Sequence, residues 1–386
     1  MHRGREHFIP ISRLELVDLC TGSLEPEERG PFRAFCELVS ASVHFRFHRR
    51  LENLKRAYRA HDPEFPDAPP AVEDPLPELE DLLRQANFSR LPDCDLQRAL
   101  REESVVPLRT RVDFADFDRV LVYYQNRGRI RMASGLEVDG FGRVLLALKF
   151  RGPEHFGARS VERGCLPGKT CIYLYRDVPA ADLELLFPNV KVGMRARDLA
   201  GILTPAALGL VLSGPTLLPQ LDVVFRAVSA GQPEAASGLL LALLSLVLTV
   251  TGVTAKQTLT YKNRRLEFLR CIGELLFFHK LDCNRGVLHS LMDAAEEEES
   301  KEMILLYYHL LSRPQGIGRR QADHEVEQWL AGRGLDVDFD IAKALDSWKK
   351  LSPAVIDARG GRLQAAPISE ALRYLDRAWD LAFEYA

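Results

Sequence analysis

Two uncharged runs constrain this chain more than any other feature. Residues 199–221 lie without a charge between Asp198 and Asp222, and residues 235–255 do so between Glu234 and Lys256. A helix needs about 20 apolar residues to cross a bilayer, so the two runs predict a transmembrane helical hairpin. The second, GLLLALLSLVLTVTGV, is the more regular; Pro205, Pro215 and Pro219 interrupt the first. Lys191, Arg195 and Arg197 precede the pair, Lys256, Lys262, Arg264 and Arg265 follow it, and the connection holds Arg226 alone. Cations mark the cytoplasmic flanks of membrane helices. The expectation is therefore an integral membrane protein with both termini cytoplasmic.

The periodicity of the remaining residues divides the chain further. Phe32, Phe35, Cys36, Val39, Val43, Phe47, Leu51, Leu54 and Tyr58 recur at three- and four-residue steps, the signature of a helix with one apolar face. This predicts a helix over 31–60, ended by a Pro-rich stretch over 61–77, with shorter helices over 78–85 and 95–103. From about residue 105 the pattern turns to β-branched, aliphatic and aromatic runs, which predict strands over 120–124, 143–150, 170–175 and 190–194. Beyond the hairpin, helices are expected over 261–280 and 286–311. The order helix (323–331), helix (340–351), Gly360-Gly361 hairpin (355–364), helix (369–383) is that of a winged helix, an elaboration of the helix-turn-helix. The fold class expected is an α+β membrane protein: an N-terminal helical region (1–104), a small α+β region (105–198), the transmembrane hairpin (199–255), a helical connector with an acidic helix (256–320) and a winged-helix-like domain (321–386).

Composition excludes several functions. A net charge of −3 and a pI near 6.4 do not suit a protein that coats nucleic acid. Residues 301–386 carry 12 Lys/Arg against 13 Asp/Glu, so the winged-helix-like segment lacks the cationic excess that neutralises phosphates. No nucleic-acid partner is expected. Seven scattered cysteines without a C-x-x-C fit reduced thiols rather than a disulfide framework. The start, MHRGREHFIPISRLELVDLC, has no uninterrupted apolar core and so is not expected to be a signal peptide.

The stretch LDCNRGVLHSLMDAAEEEESKE over 281–302 resembles the signature of the transmembrane protein 143 family, also called domain of unknown function 3754. That pattern starts N-x-G-V-L and continues as a D-x-A-E-E-x-E-x-K-E helix. Residues 173–192, the Phe8-Ile9-Pro10-Ile11 segment and the neighbourhood 45–50 are similar to bacterial members, which implies a bacterial inner (plasma) membrane as the location. The resemblance implies no activity, because the family has no assigned reaction, and it supplies no catalytic residue. It draws attention to Asn284, Gly286, Asp293, Glu299, Lys301 and Glu302 as structural or interaction residues.

Other candidates carry a chemical question. Gly168-Lys169-Thr170 invites a phosphate-loop reading, but Arg163 stands where the motif needs glycine and a strand follows where it needs a helix. His44 and His48, four apart on the first long helix, are the weak metal-ligand candidates. Glu296, Glu297, Glu298 and Glu299 are consecutive, so they point in different directions and cannot all converge on one ion; a solvated or surface-paired face is expected. The helix end over 46–59 carries six cations against Glu52, a face that attracts anionic lipid headgroups. No cofactor is implied. The function expected is a membrane-anchored scaffold or regulatory protein with cytoplasmic interaction domains and a protein partner or second copy. A membrane-bound enzyme or a subunit of an oligomeric transporter or channel are the alternatives.

Overall fold

The computed structural model describes residues 5–69, 74–92, 109–131, 135, 137–157, 167–193 and 279–381, with single positions and pairs between 226 and 273. The chain divides into two units. The larger comprises Met1–Leu100, Phe114–Leu183 and His279–Ala386; the smaller comprises Arg101–Asp113 and Glu184–Phe278.

In the larger unit, helices α1 (Arg13–Gly22), α2 (Pro26–Tyr58) and α3 (Leu76–Gln85) precede the sheet. Helices α4 (Arg285–Leu311), α5 (Arg319–Ala331), α6 (Ile341–Leu351) and α7 (Ile368–Leu381) follow it. The main sheet is antiparallel, ordered β1 (Ser89–Arg90), β3 (Phe117–Arg131), β4 (Glu137–Phe150), β5 (Thr170–Pro179) and β7 (Lys280–Cys283). All nine residues of the apolar stripe on α2 are buried. The helix begins earlier than the predicted residue 31, at Pro26, where a missing N–H costs nothing. Pro31 then lies inside it and removes one backbone hydrogen bond near the start.

Helix α4 is the axis of this unit. Helices α1, α2, α3, α5 and α6 all pack against it, and Val287, Leu288, Leu291, Met303, Ile304 and Leu305 bury its length. Alternate strand residues Leu121, Tyr123, Leu145, Ala147, Ile172 and Leu174 join the same core, as the two-residue period of a strand requires. A second small sheet, β8 (Ile317–Gly318), β10 (Arg362–Ala365) and β9 (Ile356–Asp357), lies among the C-terminal helices. Gly360 and Gly361, both at positive φ, turn β9 into β10.

The three tryptophans do not share one neighbourhood. Trp348 stacks on Phe35, meets the tilted ring of Tyr307 and donates Nε1–H to Met303 O at 3.1 Å. Trp329 meets Tyr308 and His309, and Trp379 meets Phe45. Among the described cysteines, Cys20, Cys36 and Cys171 are buried free thiols and Cys283 is a half-buried one.

In the smaller unit, β2 (Arg109–Arg111) pairs antiparallel with β6 (Lys191–Gly193), and Asn189 Nδ2 donates to Asp113 O at 2.7 Å. The fourth predicted strand is therefore not in the main sheet.

The membrane expectation is corrected. Among the described residues, no helix is long and apolar enough to cross a membrane. The expected α+β membrane fold class becomes a mixed α/β fold around an antiparallel sheet. The transmembrane hairpin, the integral placement in a bacterial inner membrane and the orientation derived from it lose their support. Charge-free length is a property of composition, whereas a crossing needs one unbroken apolar helix that satisfies its own backbone. Most of residues 199–255, and the helix expected over 95–103, lie outside the described residues.

Candidate functional site

The residues of the 281–302 signature divide into a junction and a buried charge network. Strand β7 runs straight into α4, and Asn284 makes the corner at φ 49°, ψ −119°, a positive-φ conformation outside the left-handed helical region that side chains rarely adopt. Its N–H donates to Ile172 O at 2.7 Å, and its Oδ1 accepts from Ile172 N at 3.3 Å and Tyr58 Oη at 3.4 Å. Asn284 thus ties the start of α4 to β5 and α2. Gly286 leaves room for Asp282: a Cβ there would stand 3.0 Å from Asp282 Oδ1, and Asp282 accepts from Ser290 Oγ one turn on. The N-x-G spacing is explained by this corner.

The expectation for the acidic run is a solvated face or a surface pairing with Arg or Lys of another segment; Glu299 and Glu302 do pair with Arg46 and Lys343, but Glu298, Glu299, Ser300, Lys301 and Glu302 are all buried. Lys301, 2% exposed, pairs with Glu298 one turn back. It also donates to Ile9 O at 2.8 Å and Ile11 O at 3.0 Å, with the Phe8 ring centroid 5.3 Å away. Pro10 lies between those two carbonyls, and Ile11 N closes back on Ile9 O at 2.9 Å. That three-residue turn suits the fixed φ of proline. Ile9 N donates to Glu298 Oε2 at 3.2 Å, and Arg13 N to Glu297 Oε1 at 3.0 Å. The Phe8–Ile11 segment and the acidic helix, almost 300 residues apart in sequence, are therefore two halves of one contact.

Residues that sequence reasoning missed complete the network. Asn87, at φ 58° just after α3, donates Nδ2–H to Glu298 Oε2 and Glu302 Oε1, both at 2.8 Å, and to His7 O at 3.1 Å. Lys343 of α6 donates to Glu302 Oε1 at 2.9 Å, Asn87 Oδ1 at 2.6 Å and Gln85 O at 2.7 Å. Asn immediately after a helix is a recognisable cap signal; no local pattern marks its partner lysine. Glu6 holds the bend of β3, accepting from Asn126 N and Arg127 N at 2.8 Å each. Arg5 and His7 fasten the same segment to residues 336–338.

Burial pushes the Glu302 carboxyl up to about 7, against the opposing pull of Lys343 and Asn87. Its Oε2 has no hydrogen-bond partner. Burial also raises Glu296, although His44 at 2.8 Å favours its charged form. Glu299 pairs with Arg46. Arg46, Asn87, Glu299 and Lys343 line a cleft of about 850 Å³ that opens between α2, α3 and α6.

The other candidates have distinct fates. Asp293 is exposed on α4. His44 takes Glu296 as its partner, with the exposed His48 ring 6.3 Å away. Among the described residues, no group of three His, Cys, Asp or Glu side chains is placed to hold a metal ion. Lys169 donates to Ala60 O at 3.0 Å and Phe65 O at 2.8 Å, so it anchors the chain after α2, and Thr170 begins a strand. On the face rich in cations, Arg50 is committed to Glu78, Asp81 and Gln85.

No solved structure matches the chain. The sequence profile of a family described as "Protein of unknown function (DUF3754)" matches residues 117–286. That span runs from the first residue of β3 to the Asn284–Gly286 corner that launches α4, and it supports kinship with an uncharacterised family.

Proposed function

We propose that this protein is a scaffold or regulatory protein that works by binding, its α4-centred unit presenting surfaces to a protein partner or a second copy. The observation that carries this reading is the use of the charged signature residues within the chain. Lys301 holds the N-terminal segment, Lys343 holds α3 and Glu302, and Glu299 holds Arg46. Groups arranged in this way fix a surface rather than meet a substrate. The finer kinship, with the transmembrane protein 143 family and its bacterial members, rests on the likeness of residues 281–302 and 8–11.

A second reading, an enzyme, draws on Glu302. A buried carboxyl raised to about 7 beside a lysine is the kind of perturbed group found in active sites. Its 1% exposure favours the structural role, because an acid or base must reach its substrate. Native mass measurement of the gently isolated full-length protein tests the proposal. A stoichiometric partner or a defined oligomer is expected; a bare monomer at all accessible concentrations would overturn it.

A further inference from the structure

A groove beside α7 has features that the binding reading does not use. It has a volume of about 910 Å³ and is bounded by α2, the α6–β9 connection and α7. Pockets for small ligands occupy roughly 300–1,000 Å³. One wall is aromatic: Phe45 and Trp379 have ring centroids 5.8 Å apart, and Tyr374 is 37% exposed. Leu351, Pro353 and Ala378 continue the apolar surface.

The charge around the groove is one-sided. Arg46, Arg49, Arg50, Lys350 and Arg377 line it against the single carboxylate of Glu78, which Arg50 already engages. Arg49 and Arg377 are exposed; among the described residues neither enters a hydrogen bond or an ion pair. Arg46 is held by Glu299 through Nη2, yet its buried Nη1 has no partner. Arg49 of α2 and Arg377 of α7 therefore present unused guanidinium donors to one volume, and Arg46 adds its charge from below. Guanidinium forks match phosphate oxygens in geometry and charge, and the rings beside them take an apolar or aromatic body.

We propose that this groove binds an organic phosphate, with the phosphate between the exposed Arg49 and Arg377 and the apolar body against Phe45, Tyr374 and Trp379. A nucleotide and a lipid phosphate share this chemistry. The proposal stands apart from the search for a macromolecular partner, since a small ligand occupies the groove whether or not such a partner exists.

The test titrates the full-length protein, by calorimetry and by tryptophan fluorescence, with three probes. These are inorganic phosphate, a nucleoside monophosphate, and dihexanoyl phosphatidate below its micelle concentration. At least one organic phosphate is expected to bind about tenfold or more tightly than inorganic phosphate, because the ring wall adds to the charge. The organic probe that binds identifies the source. Binding should weaken as salt rises and fall about tenfold or more in the Arg49→Gln/Arg377→Gln variant. Both arginines are exposed and unpaired, so the unliganded variant should unfold at the wild-type temperature. Trp379→Phe should abolish the fluorescence change while calorimetric binding persists. Failure of both organic phosphates to bind at millimolar concentration would overturn the proposal. So would equal affinity for inorganic phosphate, or unchanged binding in the double arginine variant.

Discussion

Replacing Lys301 by Met separates charge from shape at the centre of the network. Methionine fills a similar volume but abandons the buried Glu298 and the carbonyls of Ile9 and Ile11. Removing one partner of a buried ion pair costs about 3–5 kcal/mol, because the remaining charge is left without compensation. Ile9 O retains its bond from Ile11 N, so the second carbonyl adds only about 1 kcal/mol. The methionine side chain regains part of this through apolar burial. A net loss of about 4 kcal/mol is expected, a large share of a typical folding free energy of about 5–15 kcal/mol. Urea unfolding followed by circular dichroism reads it as a lowered midpoint at unchanged slope. The loss should be local in origin, so proteolysis of the 5–13 segment should accelerate before global unfolding. Adding Glu298→Gln to Lys301→Met should restore at least about 1 kcal/mol, since the orphaned charge is then gone. A loss below about 1 kcal/mol for Lys301→Met, or no recovery in the double variant, would refute the claim that this pair is buried and coupled.

Three further outcomes follow from the same geometry. Glu302 is raised from its ordinary 4.5 to about 7 by burial, so the folded state binds its proton more tightly than the unfolded chain. Its favourable contribution is complete below about pH 4.5 and is lost as pH rises through 7. Glu302→Gln should therefore flatten the stability–pH curve across that window by about 3 kcal/mol, and parallel wild-type and variant curves would count against this assignment. Asn87 combines a left-handed backbone with bonds to Glu298, Glu302 and Lys343. Asn87→Gly should lose stability through the bonds alone and Asn87→Ala by about 1 kcal/mol more through backbone strain, a ranking that thermal unfolding checks. Gly140→Ala should destabilise more than Gly286→Ala by about 2 kcal/mol. At Gly140 the new Cβ would lie 2.6 Å from the backbone oxygen of Val178, whereas at Gly286 it meets a side-chain oxygen at 3.0 Å.

The α2 stripe was legible in the sequence because helical burial repeats locally: nine positions at three- and four-residue spacing all reach the core. The strands β3, β4 and β5 were legible through their β-branched, aliphatic and aromatic runs between turn residues. The Asn284–Gly286 pair was noticed by resemblance, and its role as the strand-to-helix corner became clear only when β5 and Tyr58 were seen against it. Burial of the acidic run could not be read locally: carboxylates are ordinarily solvated, and although Lys301 offers Glu298 a partner one turn on, nothing nearby announces partners for Glu299 and Glu302. The compensating groups come from Ile9 and Ile11, Arg46, Asn87 and Lys343. Long-range pairing has no periodic trace in a single sequence. For the uncharged runs, composition over about 20 residues states what a bilayer would accept, while among the described residues no helix is long and apolar enough to cross one. The sequence by itself determined the longer helices and strands and the apolar face of α2. Tertiary structure alone decided which charges are buried, because the cost of burying a charge is set by the partners that the fold brings to it.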